Sequence, residues 1–293
     1  MKVVIIGAGI GGLVCAISCR REGLEVVVLE QAAALQPVGA GIQIPPNAAR
    51  ILRKLGLVPQ LLDKATLVDT IDYLRYKDGK VLYQMEGGEK MKQSYGDLWM
   101  VIARPHYHGV LWSAAKEAGA ELRLGTEAVA IDFENSSVRL GTGEIGRIAL
   151  LGDACHPTLP YQAQGAAMAV EDGAVLGKLL GQLESSGLYH DGTRDTVLGM
   201  LEIYENLRKS RTTINVQGAR SNQRAYHLPD GPIQESRDAW LRSEPRGASL
   251  DGFTLADTAY LEVILGFDAL EECVDAFEHW KAGQSQTLPR YNL

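Results

Sequence analysis

The part of the sequence that best predicts the fold is Val3-Val4-Ile5-Ile6-Gly7-Ala8-Gly9-Ile10-Gly11-Gly12, near the start of the chain. Its first four residues form a continuous apolar run, which is typical of a strand buried in a parallel sheet. Apolar residues then recur at helical spacing until Gly23, and Glu-Val-Val-Val-Leu-Glu at residues 25–30 predicts a second strand. This βαβ opening predicts an α/β fold with a Rossmann-like domain.

The glycines of this stretch have the G-x-G-x-x-G spacing of a dinucleotide-binding turn. Gly7 allows a tight turn after the strand, Gly9 lets a pyrophosphate approach the backbone, and Gly12 lets helix and strand pack closely. The N-terminus of the following helix offers free N–H groups to the phosphates. Glu30 ends the next strand, where a carboxylate can accept both hydroxyls of an adenosine ribose. The simpler alternative is a glycine-rich turn with a surface glutamate.

A second constellation lies in the middle of the chain. Residues 146–151 predict an apolar strand, which Gly152-Asp153 ends, and residues 164–183 predict a helix. Asp153, at the end of a strand, can accept hydrogen bonds from a sugar-alcohol chain. Gly165 and Ala166, at a helix start, can present N–H groups to a polarised ring edge. The alternative is an ordinary strand-turn-helix with a capping aspartate.

The remaining elements are read from turn residues and periodicity. Residues 39–42 predict a loop, and residues 69–103 read as strands with a hairpin turn at Asp78-Gly79. Further predictions are helices over residues 47–55 and 105–119, a second hairpin over 127–133 and 137–140, and mostly helix from Asp195 onward.

Composition excludes several classes of protein. The 293 residues carry a net charge of −7, and Lys and Arg are scattered, which argues against nucleic acid as a partner. No run reaches the ~18 apolar residues of a membrane span. The four cysteines match no zinc spacing and predict no metal site, and their sparse use fits a reducing, cytoplasmic compartment.

The block from Arg147 through Gly152-Asp153-Ala154 to Asp172 resembles the second FAD motif of flavoprotein monooxygenases of the aromatic-hydroxylase (salicylate hydroxylase-like) family. The resemblance implies that Asp153 contacts the ribityl chain of FAD. It also implies that Gly165 and Ala166 face the pyrimidine edge of the isoalloxazine ring.

Other segments extend this resemblance over nearly the whole chain. Residues 39–48, which include Gly41, are similar to the family's segment beside the flavin. Arg104 matches the arginine that touches the cofactor, and Val129 matches a position near the adenine. The stretches Tyr204 to Arg211 and Tyr226 to Gly231 also look like this family.

The chain departs from the family between its two motifs. Only Gly141-Thr142-Gly143-Glu144 separates Leu140 from Ile145, where the family has a long central block. That block holds an Asp-Gly motif that touches FAD and the nicotinamide donor, and it supplies most of the substrate-domain sheet. We therefore expect an FAD-binding domain at 1–68 and 101–190, a remnant of the β-rich substrate subdomain at 69–100, and a helical C-terminal region at 191–293.

The resemblance implies an FAD-dependent monooxygenase that uses NAD(P)H and O2 to hydroxylate a phenolic or related aromatic molecule, in catabolism or secondary metabolism. The sequence identifies no catalytic side chain. One alternative is a non-catalytic FAD-binding remnant, the product of a truncated or mis-spliced gene, and another is an NAD-linked dehydrogenase, against which the second motif argues. Loss of the block would leave sheet edges that the chain pairs differently, exposes or covers by forming a homodimer.

Overall fold

A computed structural model describes residues 1–35, 39–132, 137–139, 148–189, 194–243 and 256–283. The strands are β1 (Lys2–Ile6), β2 (Glu25–Leu29), β3 (Gly41–Ile44), β4 (Ala65–Leu67), β5 (Thr70–Leu74), β6 (Val81–Glu86), β7 (Met100–Ala103), β8 (Glu121–Arg123), β9 (Ala130–Asp132) and β10 (Ser137–Arg139). The helices are α1 (Ile10–Arg21), α2 (Pro46–Lys54), α3 (Val58–Leu62), α4 (Gly88–Tyr95), α5 (Arg104–Glu117), α6 (Gly165–Ser185), α7 (Arg194–Tyr226), α8 (Pro232–Arg242), α9 (Thr258–Leu265) and α10 (Ala269–Lys281).

The βαβ opening is confirmed. Strands β1, β2 and β8 form a parallel sheet in the order β1-β2-β8, with Ile6 of β1 paired to Leu29 of β2. The four apolar residues of β2 are buried, as expected of a strand in a parallel sheet whose faces are covered. The loop between β1 and α1 therefore opens at the carboxyl end of this sheet, where open α/β folds bind their ligands.

Helix α1 packs closely against α6 through glycines of α6 spaced four residues apart. A Cβ at Gly173 would lie 2.6 Å from the backbone nitrogen of Cys15, and one at Gly177 would lie 2.5 Å from the Cβ of Ser18. Residues four apart share one face of a helix, so these two glycines leave that face without side chains and allow α1 to approach closely. The contact joins the helix of the first motif directly to the helix of the second.

The middle of the chain forms two smaller antiparallel sheets, ordered β3-β7-β4 and β5-β6. The hairpin turn at Asp78-Gly79 is confirmed, with Gly79 at φ 68°. The loop prediction for residues 39–42 is wrong in part, because Gly41 begins β3 and pairs with Ala103 of β7. Reading residues 69–103 as strands alone is also wrong. Helix-forming residues after Gly88 build α4, which ends at Gly96 in the left-handed conformation.

The predicted strand over residues 146–151 is wrong for its described part, because residues 148–151 form no strand. Among the described residues, β1 pairs only with β2, and Ile6 is 46% exposed. The carbonyl of Leu150 accepts a hydrogen bond from the Tyr204 hydroxyl at 2.8 Å instead of a strand partner. Residues 148–151 therefore do not extend the parallel sheet beside β1.

The C-terminal part of the described chain is helical, as predicted, and its longest helix is the 33-residue α7. Asp257 and Asp268 cap α9 and α10 by accepting hydrogen bonds from first-turn N–H groups. The second hairpin is confirmed in shortened form as β9 and β10. Residues 141–144, where the chain departs from the family, lie outside the described residues. No described helix combines the length and the apolar character that crossing a bilayer requires.

Candidate cofactor site

The three motif glycines have different surroundings in the structure. Gly7 adopts φ 96°, a conformation that side chains with a Cβ rarely adopt. A Cβ at Gly12 would overlap the carbonyl oxygen of Gly7, so this glycine is required for the turn itself. A Cβ at Gly9 would meet no described atom within 4 Å. Gly7 and Gly12 therefore shape the loop, whereas Gly9 faces the open space that a ligand can fill.

The N-terminus of α1 is suited to an anion. Its N-cap is Gly9, no described side chain caps it, and its first turn carries no acidic residue. The first intrahelical bond runs from the Leu13 N–H to the Gly9 carbonyl, so the preceding N–H groups have no intrahelical acceptor. Free N–H groups and the positive end of the helix dipole together favour a phosphate here.

Glu30 lies beside this loop. Its Oε2 accepts a hydrogen bond from the Ala8 N–H at 2.9 Å, and its Oε1 accepts one from the Ala32 N–H at 2.9 Å. The Glu30 carbonyl accepts from the Thr126 N–H at 2.9 Å, which brings the segment before Val129 to the same edge. Val129 itself is 74% exposed. The carboxylate thus lies at the glycine loop, and the chain that leads to Val129 passes Glu30 at Thr126.

Helix α5 supports the loop from the other side. His108 contacts the carbonyl oxygen of Ala8 through Nε2 at 2.6 Å, a role that the sequence did not indicate. Arg104 begins this helix, and its N–H donates to the Ala40 carbonyl at 3.0 Å. Gly39 lies on the Arg104 side chain so closely that a Cβ would be 2.8 Å from Cδ. The segment that contains Gly41 is therefore held at the start of α5.

The second motif forms a single 3₁₀ turn, Gly152–Ala154, which exposes the Asp153 side chain. Gly152 adopts φ 62°, and its N–H donates to Asp172 Oδ2 at 2.8 Å. Just before α6, Ala163 adopts φ 56°, a strained conformation for a residue with a Cβ. Gly165 then begins α6, whose N-terminus no described side chain caps. Both Gly165 and Ala166 are half-buried.

The two motifs meet across the contact between α1 and α6. A Cβ at Gly11 would lie 2.8 Å from the Leu151 side chain and 3.1 Å from the Ala169 side chain. The glycine loop and the 3₁₀ turn therefore sit side by side, each next to an uncapped helix N-terminus. The open space at Gly9 and these free N–H groups fit a dinucleotide that spans both motifs.

Four buried charges lie behind the second motif. Arg208 donates from Nε to Asp172 Oδ1 at 2.7 Å and places Nη1 2.7 Å from Glu171 Oε2. Arg211 binds Glu171 through Nε and Nη2, both at 2.7 Å. Each of the four residues is at most 3% exposed. An acidic pair inside the apolar stretch around residue 171 signals such partners, because buried carboxylates are rarely left unpaired.

The arginines decide the ionisation of the two carboxyl groups. Burial alone would raise the pKa of Glu171, but the charges of Arg211 and Arg208 outweigh it and hold the pKa at about 2. Burial also acts to raise the pKa of Asp172, and Arg208 together with His156 lowers it below its ordinary value. Both groups are therefore carboxylates at neutral pH.

Ligand atoms of Cys155, His156 and Asp172 lie within 4.8 Å of one another, a spacing that could hold a metal. The chemistry of the group argues against this use. Asp172 already accepts from Gly152, His156 and Arg208, and a metal ion would lie close to the Arg208 cation.

Comparison with known proteins agrees with this geometry. A family model described as an FAD binding domain matches residues 1–142 and 132–191. The FAD-dependent monooxygenase OpS4 of Beauveria bassiana is 25% identical, and the alignment covers 81% of this chain and 88% of that protein. The 3-amino-4-hydroxybenzoate 2-monooxygenase PtmB3 of Streptomyces platensis is 27% identical, with 86% and 94% covered. The crystal structure of Klebsiella pneumoniae HpxO with FAD and uric acid has the same fold, with TM-score 0.68, 17% identity, and 83% and 93% covered.

The alignments also locate the departure from the family. They extend over 384 and 387 positions, more than the 293 residues of the whole chain, so each relative carries a long segment without a counterpart here. The two pieces of the family match meet at residues 132–142, next to the expected junction. The chain is thus a member of the FAD-dependent aromatic hydroxylase family.

Proposed function

We propose that the chain binds FAD across its two motifs and uses NAD(P)H and O2 to hydroxylate a phenolic or related aromatic molecule. The observation that carries the proposal is the meeting of the glycine loop and the 3₁₀ turn at two uncapped helix N-termini. When bound, FAD would supply the redox chemistry, and the protein binds the cofactor, orients it and excludes water. This division of labour fits a site without an evident acid–base pair.

Each candidate residue has a role in this proposal. Glu30 would accept hydrogen bonds from the adenosine ribose, and Asp153 would accept them from the ribityl chain. The proposal is supported by the position of Glu30 beside the glycine loop and by the exposure of Asp153 in the 3₁₀ turn. The other proposed contacts to the cofactor come from the two helix starts and their neighbours: Gly7, Gly9, Gly12, Gly41, Arg104, Val129, Gly165 and Ala166.

The proposed substrate class comes from the relatives. The names of two of them specify a 3-amino-4-hydroxybenzoate and a 3-hydroxybenzoate, which are both phenolic acids.

We expect hydroxylation to be weakly coupled to NAD(P)H oxidation. The missing block would have walled the reaction site, and an open site admits water to the reduced cofactor and oxygen. We therefore expect most of the NAD(P)H oxidised to yield hydrogen peroxide and little of it to yield hydroxylated product.

A non-catalytic FAD-binding protein is the second candidate. The absent block and the exposed side chains of Ile6 and Leu150 favour it, since they leave apolar surface uncovered beside the motifs. A sequence read of the genomic DNA between the codons for Glu144 and Ile145 tests the origin of the gap. A coding segment there would identify the short form as a processing product.

The test of the proposed activity is a turnover assay on purified, FAD-loaded protein. NADH and NADPH are offered separately with a panel of hydroxybenzoates, and NAD(P)H, O2, hydrogen peroxide and product are all quantified. The proposal predicts that a phenolic acid accelerates NAD(P)H oxidation and that some product forms. FAD binding without any substrate-dependent oxidation would favour the non-catalytic candidate. One product per NAD(P)H would contradict the expected weak coupling.

The division into an FAD-binding unit at 1–68 and 101–190, a substrate remnant at 69–100 and a helical region at 191–293 is likewise proposed. Limited proteolysis tests this division, because cleavage should occur first at these boundaries.

A homodimer and a cytoplasmic location stay predictions. Size-exclusion chromatography and fractionation of the source cells test them.

A further inference from the structure

Helix α7 lies beyond the part of the chain that the family model matches, which ends at residue 191. Two of its arginines nevertheless reach the buried acidic pair behind the second motif. Arg208 and Arg211 are each 3% exposed, and their partners Glu171 and Asp172 are fully buried. The C-terminal region is therefore joined to the cofactor domain by charged groups that water does not reach.

One arm of this network leads to the second motif. Arg208 Nε donates to Asp172 Oδ1 at 2.7 Å, and its Nη2 donates to the Met168 carbonyl at 3.3 Å. The other carboxylate oxygen of Asp172 accepts from the Gly152 N–H at 2.8 Å and lies 2.6 Å from His156 Nε2. Arg208 thus fixes the carboxylate that fixes the backbone immediately before Asp153.

The other arm leads to the segment that resembles the flavin-side segment of the family. Arg211 holds Glu171, and Glu171 Oε1 accepts a hydrogen bond from Asn47 Nδ2 at 2.7 Å. Asn47 Nδ2 also donates to Gln164 Oε1 at 3.0 Å, one residue before α6 begins. Arg211 is itself fixed by the carbonyls of Val263 and Ile264 at 2.8 and 2.7 Å.

We infer that Arg208 and Arg211 of α7 are positioning residues for FAD, which set the geometry of the 3₁₀ turn and of the start of α6 through Asp172 and Glu171. The inference rests on the proposed contact of Asp153 with the cofactor. Neither arginine touches FAD in this account. Asp172 and Glu171 each accept hydrogen bonds from an arginine of α7 and from a group of the candidate site, so their side chains can adopt few other conformations. The backbone next to them is therefore already in its binding conformation before FAD binds.

The chain contains a matched control for Arg208. Arg237 on α8 binds Asp238 through Nε and Nη2 at 2.9 and 2.6 Å, and Asp238 is 1% exposed. After loss of Arg237, Asp238 keeps Arg75 at 3.5 Å, as Asp172 keeps His156 after loss of Arg208. The described contacts of Arg237 do not include the second motif. Both substitutions therefore remove an arginine from a buried aspartate, and only Asp172 holds that motif. Arg237 is 14% exposed and Arg208 also contacts Glu171, so the control matches the loss at the aspartate alone.

The experiment compares Arg208→Gln with Arg237→Gln in the full-length protein. The FAD dissociation constant is measured by flavin fluorescence quenching, and unfolding of the apoprotein is followed by circular dichroism in urea. We expect both substitutions to lower the urea midpoint. Arg208→Gln should weaken FAD binding about 10-fold or more, and Arg237→Gln should change it less than about 2-fold. Equal weakening by both, or an unchanged FAD affinity in Arg208→Gln, would overturn the inference.

Arg208→Lys and Arg237→Lys provide the comparison if the glutamine variants fail to fold. Lysine keeps the charge but cannot bind Glu171 and Asp172 with a planar fork. We expect Arg208→Lys to bind FAD more weakly than the wild type and to shift the visible absorption bands of bound flavin. Arg237→Lys should do neither. Wild-type protein that binds no FAD would instead refute the proposed function, whatever the variants do.

Discussion

The backbone N–H of Gly152 donates a 2.8 Å hydrogen bond to Oδ2 of Asp172, a fully buried side chain 20 residues later in the sequence. This bond ties the 3₁₀ turn of the second motif to the first turns of α6. The start of α1 lies against the same region, because a Cβ at Gly11 would lie 2.8 Å from the Leu151 side chain and 3.1 Å from that of Ala169. The candidate cofactor site therefore depends on an interaction that lies behind it.

Substituting the motif glycines should separate loop shape from ligand contact. Gly12→Ala places a Cβ on the Gly7 carbonyl, so the backbone must shift, and we expect both the apoprotein stability and FAD binding to fall. Gly9→Ala meets no described atom within 4 Å, and Gly9 has an ordinary φ of −70°. It should leave apoprotein stability within about 0.5 kcal/mol of the wild type and weaken FAD binding.

Urea unfolding of the apoproteins and FAD titration measure the two effects. Gly87→Ala is a control for the cost of a backbone overlap away from the site, since a Cβ at Gly87 would overlap the carbonyl oxygen of Val68. A Gly9→Ala protein with wild-type FAD affinity would show that Gly9 does not face the pyrophosphate.

The buried acidic pair predicts how stability depends on pH. The pKa of Glu171 is held at about 2 in the folded protein, against an ordinary value of 4.5. Its stabilising contribution is therefore fully present above about pH 4.5 and is lost as the pH falls toward 2. The shift corresponds to about 3 kcal/mol of unfolding free energy, because one pKa unit is ~1.4 kcal/mol.

Urea unfolding of the apoprotein between pH 7 and pH 2.5 measures this dependence. Glu171→Gln should be less stable at pH 7 and should show a shallower loss of stability below pH 4.5. Asp268→Asn is the comparison, since the pKa of this helix-capping carboxylate is also lowered. Asp268 is only partly buried, and its partner Lys54 is exposed, whereas both arginine partners of Glu171 are buried. Equal pH slopes in wild type and Glu171→Gln would contradict the ionised, buried pair.

FAD should stabilise the short chain strongly. The unpaired outer edge of β1 among the described residues and the exposed Ile6 predict a low melting temperature for the apoprotein. FAD at 100 times its dissociation constant adds ~2.7 kcal/mol if only the folded state binds it. We expect the melting temperature to rise by about 5–10 °C in a scan with excess FAD. A high melting temperature that FAD does not move would mean that the short form is well packed without its cofactor.

The sequence predicted the parts of the fold that local physics determines. The βαβ opening, the turn at Gly79 and the helix from Gly165 follow from apolar periodicity and glycine positions, and the structure has all three. It also indicated Glu30, since a carboxylate at the end of β2 lies near the glycine loop in any Rossmann-like unit.

The sequence predictions were wrong or incomplete where contacts between distant segments determine the structure. The strand expected over residues 146–151 depends on pairing with a distant strand edge, and an apolar run alone cannot report whether that pairing forms. The Arg208 contact joins residues 36 positions apart, and the His108 contact with Ala8 joins residues 100 apart. A buried Glu-Asp pair signals that cations must exist, but only the packing of α7 on α6 identifies them.

An equilibrium FAD titration of the apoprotein and of Glu30→Ala and Asp153→Ala tests most directly whether the cofactor spans the two motifs. Loss of one charged hydrogen bond costs about 1.5–3 kcal/mol, so each variant should bind FAD ~10- to 150-fold more weakly than the wild type. Glu25→Ala, an exposed carboxylate at the other end of β2, should bind like the wild type. Full occupancy of both site variants at sub-micromolar FAD would contradict the proposal that the cofactor spans the two motifs.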